Sequence, residues 1–181
     1  MKVLVGCEFS GIVREAFSKR GHDATSCDLL DSEIPGKHIH GNVLNHLDRD
    51  WDLLIAHPPC TYLAVCGARW FKYRKEEQHE ALTFVRYLLN AKIPKICIEN
   101  PISVISTKIR KPDQIIQPYQ YGHGETKATC LWLKNLPKLV PTNVVSGREH
   151  RVHNAAPSPD RWKIRSRTFT GIAQAMATQW G

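Results

Sequence analysis

WDLLIAHPPC, residues 51–60, is the stretch on which the fold turns. Residues 51–56 read as a buried-type strand, and the paired Pro58 and Pro59 cannot continue a hydrogen-bonded ladder. The chain must therefore leave the strand in an irregular loop, which sets Cys60 at the strand's carboxyl end. Working outward, KVLVGC (2–7) is a second short apolar run, followed by helical spacing at Ile12, Val13, Ala16 and Phe17. HDATSCD (22–28) reads as a strand that closes on Asp28. Residues 76–90 have the acidic first turn and apolar stripe of an amphipathic helix, and IPKICI (93–98) is a strand that runs into Glu99, Asn100 and Pro101. ATCLWL (128–133) adds a strand, GIAQAMATQW (171–180) reads as a closing helix, and residues 134–165 read as loops.

Strands alternating with helices predict an α/β protein with a parallel, doubly wound sheet, whose ligands lie outside the strand carboxyl ends. Asp28, Cys60 and Glu99 all fall at that edge. In a nucleotide-binding unit, an acid about twenty positions after the first strand would hold a ribose.

With 181 residues, 42% hydrophobic and 23% charged, the chain is long enough to bury a core without disulfide or metal staples. This composition disfavours disordered, collagenous and repeat architectures. No apolar stretch reaches the ~20 residues of a membrane span, and Glu8 comes too early for a signal peptide, so a soluble cytoplasmic protein is expected. Cys7, Cys27, Cys97 and Cys130 lie in or beside apolar runs and read as packed free thiols. No metal-ligand spacing stands out, and no metal is expected. Trp132, Trp162, Phe169 and Trp180 read as mostly core.

The net charge of +8 is unevenly spread: 11 Lys/Arg face 12 Asp/Glu up to residue 90, and 14 face 5 beyond it. The basic segment 148–167 would attract phosphate through counterion release, with a solvated basic face as the plain alternative. Cys60 after two prolines and Glu99 before Asn-Pro, leaving buried strands at one sheet edge, suit covalent catalysis beside an acid. His57 reads as an ordinary loop histidine.

CEFSG (7–11), Asp28, GNV (41–43), DLLIAHPPC (52–60), IENP (98–101), YGHGETKATCLW (121–132) and the closing helix occur in an order that resembles the DNA cytosine-5 methyltransferases nearly end to end. The resemblance implies a class I S-adenosylmethionine-dependent methyltransferase fold, a Rossmann-like mixed sheet of seven strands with helices on both faces. It implies S-adenosyl-L-methionine as cofactor and DNA, duplex or single-stranded, as partner. Cys60 would add to C6 of the pyrimidine and Glu99 would hydrogen-bond or protonate N3. Phe9 would pack on the adenine, Ser10 and Gly11 would line the methionine part, and Asp28 would bond the ribose hydroxyls. Asn42 would face the adenine amine, and Pro58 would shape the wall between cofactor and base. A nearby positive charge or a loop rich in N–H groups should lower the pKa of Cys60.

The chain departs from the family's pattern in three places. CEFSGIVR lacks the family's additional glycines, so the backbone must approach the cofactor in another way. ETKAT (125–129) stands where the family has its base-contacting arginines, which leaves Lys127 or Thr129 to substitute. Only about thirty residues lie between Trp132 and the closing helix, too few for a target recognition domain. The expectation is one minimal, phage-like catalytic domain over 1–181, with relaxed specificity or a protein partner that supplies it. Arg165 and Arg167 would make phosphate contacts, which position without specifying. Rival readings are the same chemistry on uracil, a free nucleotide or RNA, a silent binding protein that keeps the fold, or a plain nucleotide-binding α/β protein.

Overall fold

A computed structural model describes all 181 residues. Seven strands form one sheet in the order β3-β2-β1-β4-β5-β7-β6. They are β1 (Lys2–Gly6), β2 (Asp23–Asp28), β3 (His38–His40), β4 (Leu53–Ala56), β5 (Lys95–Pro101), β6 (Gln114–Ile116) and β7 (Thr129–Lys134). β1 to β5 pair in parallel, whereas β7 runs antiparallel to both β5 and β6. The sheet is therefore mixed, as the resemblance implied, and not wholly parallel as the alternation alone suggested. Its architecture is the Rossmann-like seven-stranded sheet with helices on both faces that the resemblance implied.

The central strands are apolar throughout because both faces are covered. Alternate residues turn to opposite sides. Val3, Val5, Leu53, Ile55, Cys97 and Leu131 pack with α1 (Ile12–Ser18) and α5 (Thr170–Trp180), through Val13, Phe17, Ile172, Met176 and Trp180. Leu4, Leu54, Ala56, Ile96, Ile98, Cys130 and Trp132 face the other way. There they meet Leu82, Val85 and Leu88 of α2 (Lys75–Leu89), and Ile105 at the start of the short α3 (Ile105–Lys108). α4 (Arg161–Ser166) is the one helix inside the stretch read as loops. No helix is long and apolar enough to cross a membrane.

Two features place the site. The strand order reverses between β1 and β4, and such a reversal opens a crevice outside their carboxyl ends. The β4–β5 register pairs Leu53 with Lys95 and Ala56 with Ile98, so the next residues along, His57 and Glu99, come level just beyond the shared ladder.

Candidate functional site

Beyond β4, the amide of His57 still donates to the Gly6 carbonyl at 2.9 Å. Pro58 is buried, Pro59 and Cys60 are exposed, and the Cys60 carbonyl accepts from the amides of Leu63 and Ala64 at 3.0 and 2.9 Å. The loop is tied to β5 by Asn100, whose side-chain amide donates to the Pro58 carbonyl at 2.8 Å. The wall residue Pro58 is thus fixed through its backbone to the residue after Glu99.

Glu99 is buried, and His57 is not the loop histidine the sequence suggested. Its Nδ1 lies 2.7 Å from Glu99 Oε2, with side chains only 9% and 11% exposed. Burial pulls the imidazole pKa down, but the hydrogen bond to Glu99 and the charges of Glu99 and Glu8 carry it above the usual histidine value, against Lys127. Burial pushes Glu99 up, yet the His57 hydrogen bond, its charge and Lys127 hold the carboxyl below its usual range. Both shifts favour the imidazolium–carboxylate form of the pair. Nε2 of His57 is buried without a hydrogen-bond partner, as is Oδ1 of Asn100.

The Cys60 thiol is raised, first by desolvation and then by Glu99 and Cys66, while Lys127 and a backbone N–H pull it down. The expected lowering is therefore reversed, because desolvation of the thiol, with the Glu99 charge added to it, outweighs the single cation. Lys127 remains the basic group that acts on Cys60, Glu99 and His57 together. Its amide donates to Gln117 Oε1 at 2.9 Å and its ammonium to the Arg165 carbonyl at 3.0 Å. Thr129 is buried, with its hydroxyl donated to the Lys127 carbonyl at 3.1 Å. It braces Lys127 and offers no free hydroxyl proton to a base.

The β1–α1 loop shows how the missing glycines are replaced. Cys7 has φ 56°, a left-handed conformation that is uncommon outside glycine, so a thiol-bearing residue makes the turn. Glu8 then buries its carboxylate beneath the start of α1 and accepts from the amides of Val13 and Arg14 at 2.6 and 3.2 Å. Gly11 has φ 71°, and a Cβ there would lie 2.8 Å from the Arg14 guanidinium. Arg14, 1% exposed, donates to the carbonyls of Ile34 and Pro35 at 2.7 and 3.0 Å and so organises the loop after β2. Nothing in the sequence marked Glu8 or Arg14 as buried, since both look like ordinary charged residues near a helix start.

Asp28 stands at the end of β2 with Oδ1 accepting from the Leu30 amide at 3.0 Å and its other oxygen free. Asn42 uses its side-chain oxygen on the Leu44 amide at 3.0 Å, which leaves its NH₂ unengaged. Phe9 is 8% exposed and meets Trp162 of α4 at a ring-centroid distance of 5.5 Å. Trp162, expected in the core, is half exposed and packs against Phe9, the residue expected to meet adenine. Arg167 is bound through both nitrogens to Glu33, at 2.9 and 2.6 Å, and is not free for phosphate. Residues 161–168 thus form a strap over the crevice, held by Phe9, Glu33 and Lys127. The cavity left beneath it, lined by Cys7, Glu8, Phe9, Ser10, His57, Ser166 and Thr168, is about 40 Å³.

A larger hollow of about 510 Å³ lies at the opposite sheet edge beside Leu133 and Lys134, and it holds no nucleophile. No group of histidine, cysteine or carboxylate side chains is arranged to hold a metal ion.

No protein-family model and no curated protein matches the chain. Among solved structures it is similar to a protein described as a candidate DNA modification methyltransferase encoded within a prophage (E. coli). The TM-score is 0.51 at 12% identity, over 79% of this chain. This chain spans about half the length of that protein, 51%. At that identity the likeness is one of fold.

Proposed function

We propose that this protein transfers a methyl group from S-adenosyl-L-methionine to C5 of cytosine in DNA, with Cys60 as the nucleophile and Glu99 at the N3 edge. The observation that carries the reading is an exposed thiol in the loop leaving β4 and a buried carboxylate on the adjacent parallel strand β5, close enough for the charge of Glu99 to act on Cys60, beside the β1–β4 crevice. The fold likeness to a protein described as a DNA modification methyltransferase supports the class.

The donor set suits such a cofactor: Asp28 has a free carboxylate oxygen for ribose hydroxyls, and Ser10 lines the small cavity, with Gly11 next to it in the chain. Cavities that take ligands of this size run to about 300–1,000 Å³, so 40 Å³ requires the strap to move aside first. When bound, the group supplies an electrophilic methyl on sulfonium. The chain supplies the rest. The Cys60 thiolate would add to C6 and push electrons toward C5, C5 would take the methyl group, and passage of the C5 proton to solvent water would break the C6–S bond and release the thiolate. Lys127 favours the thiolate. With Oε2 engaged by His57, Oε1 of Glu99 is the oxygen left for the base, and it accepts from the cytosine amino group.

Residues 135–160 hold no helix or strand, which supports a sequence choice that is relaxed or supplied by a partner protein. A second reading rests on the same ion pair: a carboxylate suits the N3–H donor of a uracil ring better than the N3 acceptor of cytosine. The test is transfer of label from methyl-labelled cofactor to DNA, RNA and free nucleotides containing cytosine or uracil, with Cys60→Ser alongside. Label at cytosine C5 that Cys60→Ser abolishes supports the first reading; label on uracil only establishes the second.

A further inference from the structure

We propose that residues 61–75, the stretch leaving Cys60, form a platform for an unpaired DNA strand whose bases stack on Trp70 and Tyr73. Val65–Tyr73 is a 3₁₀ helix with no buried residue, an unusual place for aromatic side chains. Trp70 is 55% and Tyr73 67% exposed. Each ring carries a cation: the Arg69 guanidinium is 5.3 Å from the Trp70 centroid and the Lys72 ammonium 4.6 Å from that of Tyr73. Between Thr61 and Lys75 there are four basic residues and no acidic one.

What sets this stretch apart from the basic segment 148–167 is its free rings. In that segment Arg151 pairs with Glu125 and Glu149, Lys163 with Asp160 and Arg167 with Glu33, while Arg148, Arg161 and Arg165 make no ion pair; its one large aromatic ring, Trp162, is packed on Phe9. Arg69, Lys72 and Lys75 make no ion pair with the protein and are free for phosphate. Exposed rings interleaved with free cations are the chemistry of single-strand binding, in which bases stack on aromatic faces and phosphates follow the cations. A duplex offers no such faces, since its bases already stack on each other. An enzyme that reaches C5 of a paired base must also extrude it, a cost that an unpaired strand avoids. The platform begins one residue after Cys60, so a strand laid on it brings a base to the thiol without a separate recognition unit.

This inference rests on the reading of Cys60 as a nucleophile toward a nucleic-acid base, and binding separates the two. With the full-length Cys60→Ser variant, fluorescence anisotropy would follow a labelled oligodeoxycytidine strand, its duplex and the matching RNA strand. The expected result is DNA-strand affinity at least about tenfold above duplex and above RNA. Trp70→Ala and Tyr73→Ala should each reduce it about tenfold at an unchanged thermal midpoint. Arg69→Gln with Lys72→Gln should lower the salt dependence of binding. Tighter duplex or RNA binding, or strand binding indifferent to the loss of both rings, overturns the proposal. Strand binding that behaves as expected while the wild type transfers no methyl group leaves the platform standing and removes the proposed function. Methyl transfer to single strands with unchanged KM in the ring variants does the reverse.

Discussion

His57 and Glu99 lie 42 positions apart in the chain and meet at 2.7 Å, both nearly buried, because the β4–β5 register sets the residue after β4 beside Glu99 of the longer β5. Buried ion pairs give little net stability but leave a costly orphan charge when one member is removed. The pair also fixes how Glu99 presents itself to a base, with Oε2 committed and Oε1 available.

Both shifts have a readable consequence for pH. His57 is raised, so its share of stability is complete below the ordinary imidazole value, about 6.5, and is lost as pH rises through the folded value. Glu99 is lowered, so its share is present above the ordinary carboxyl value, about 4.3, and is lost as pH falls through the folded one. Thermal midpoints should peak in the mildly acidic range. In His57→Gln the alkaline decline should shrink, and a wild-type curve flat from pH 5 to 8 would show that the ion pair is not formed.

Asp28→Ala should weaken binding of S-adenosyl-L-methionine by about tenfold or more, since a ribose diol loses its carboxylate partner, while the thermal midpoint moves little. Titration calorimetry gives the affinity directly. An unchanged dissociation constant would place the nucleoside elsewhere.

The strap should govern cofactor access. Glu33→Gln removes one half of a partly exposed pair whose stabilising worth is at most about 1 kcal/mol, so the fold should survive. Trp162→Ala uncovers Phe9. Either change should raise cofactor affinity by sparing the energy of opening, and the wild-type indole fluorescence should shift as cofactor is added. Weaker binding in both variants would mean that the strap forms part of the cofactor site.

Arg14→Met should be among the most destabilising single changes near the site. It takes the guanidinium donor from the Ile34 carbonyl, which keeps Ser32 Oγ at 2.8 Å, and from the Pro35 carbonyl, and removes the buried charge-assisted bonds that order the loop, at about 1.5–3 kcal/mol in all. Denaturant unfolding measures the loss, and a cost below 1 kcal/mol would show that water replaces the guanidinium.

The inner strands were legible in sequence because two covered faces demand unbroken apolar runs such as Leu53–Ala56. β3 and β6 were not, since His38–His40 and Gln114–Ile116 are three residues each at or near the sheet's margins. Nothing in TCLWLK reports strand direction, so the antiparallel course of β7 came only with the resemblance. Cys60 and Glu99 were legible by their positions after strands. The role of His57 was not, because a polar residue after a strand looks like the beginning of a loop, and its partner lies across the sheet. Arg14 and Glu8 were hidden for the converse reason: charge suggests solvent, and only the folded chain shows the carbonyls and amides that satisfy them.

The register of β4 against β5 also guards the fold against mispairing. A slip of one residue along β5 would turn Glu99 from the α1–α5 side toward Leu54, Ala56 and the apolar face of α2. An acid stranded there, away from its imidazole, would make the shifted ladder expensive. The residues read here as a chemical site thus double as a proofreading mark for the sheet, so a chain that folds out of step loses stability and reactivity together.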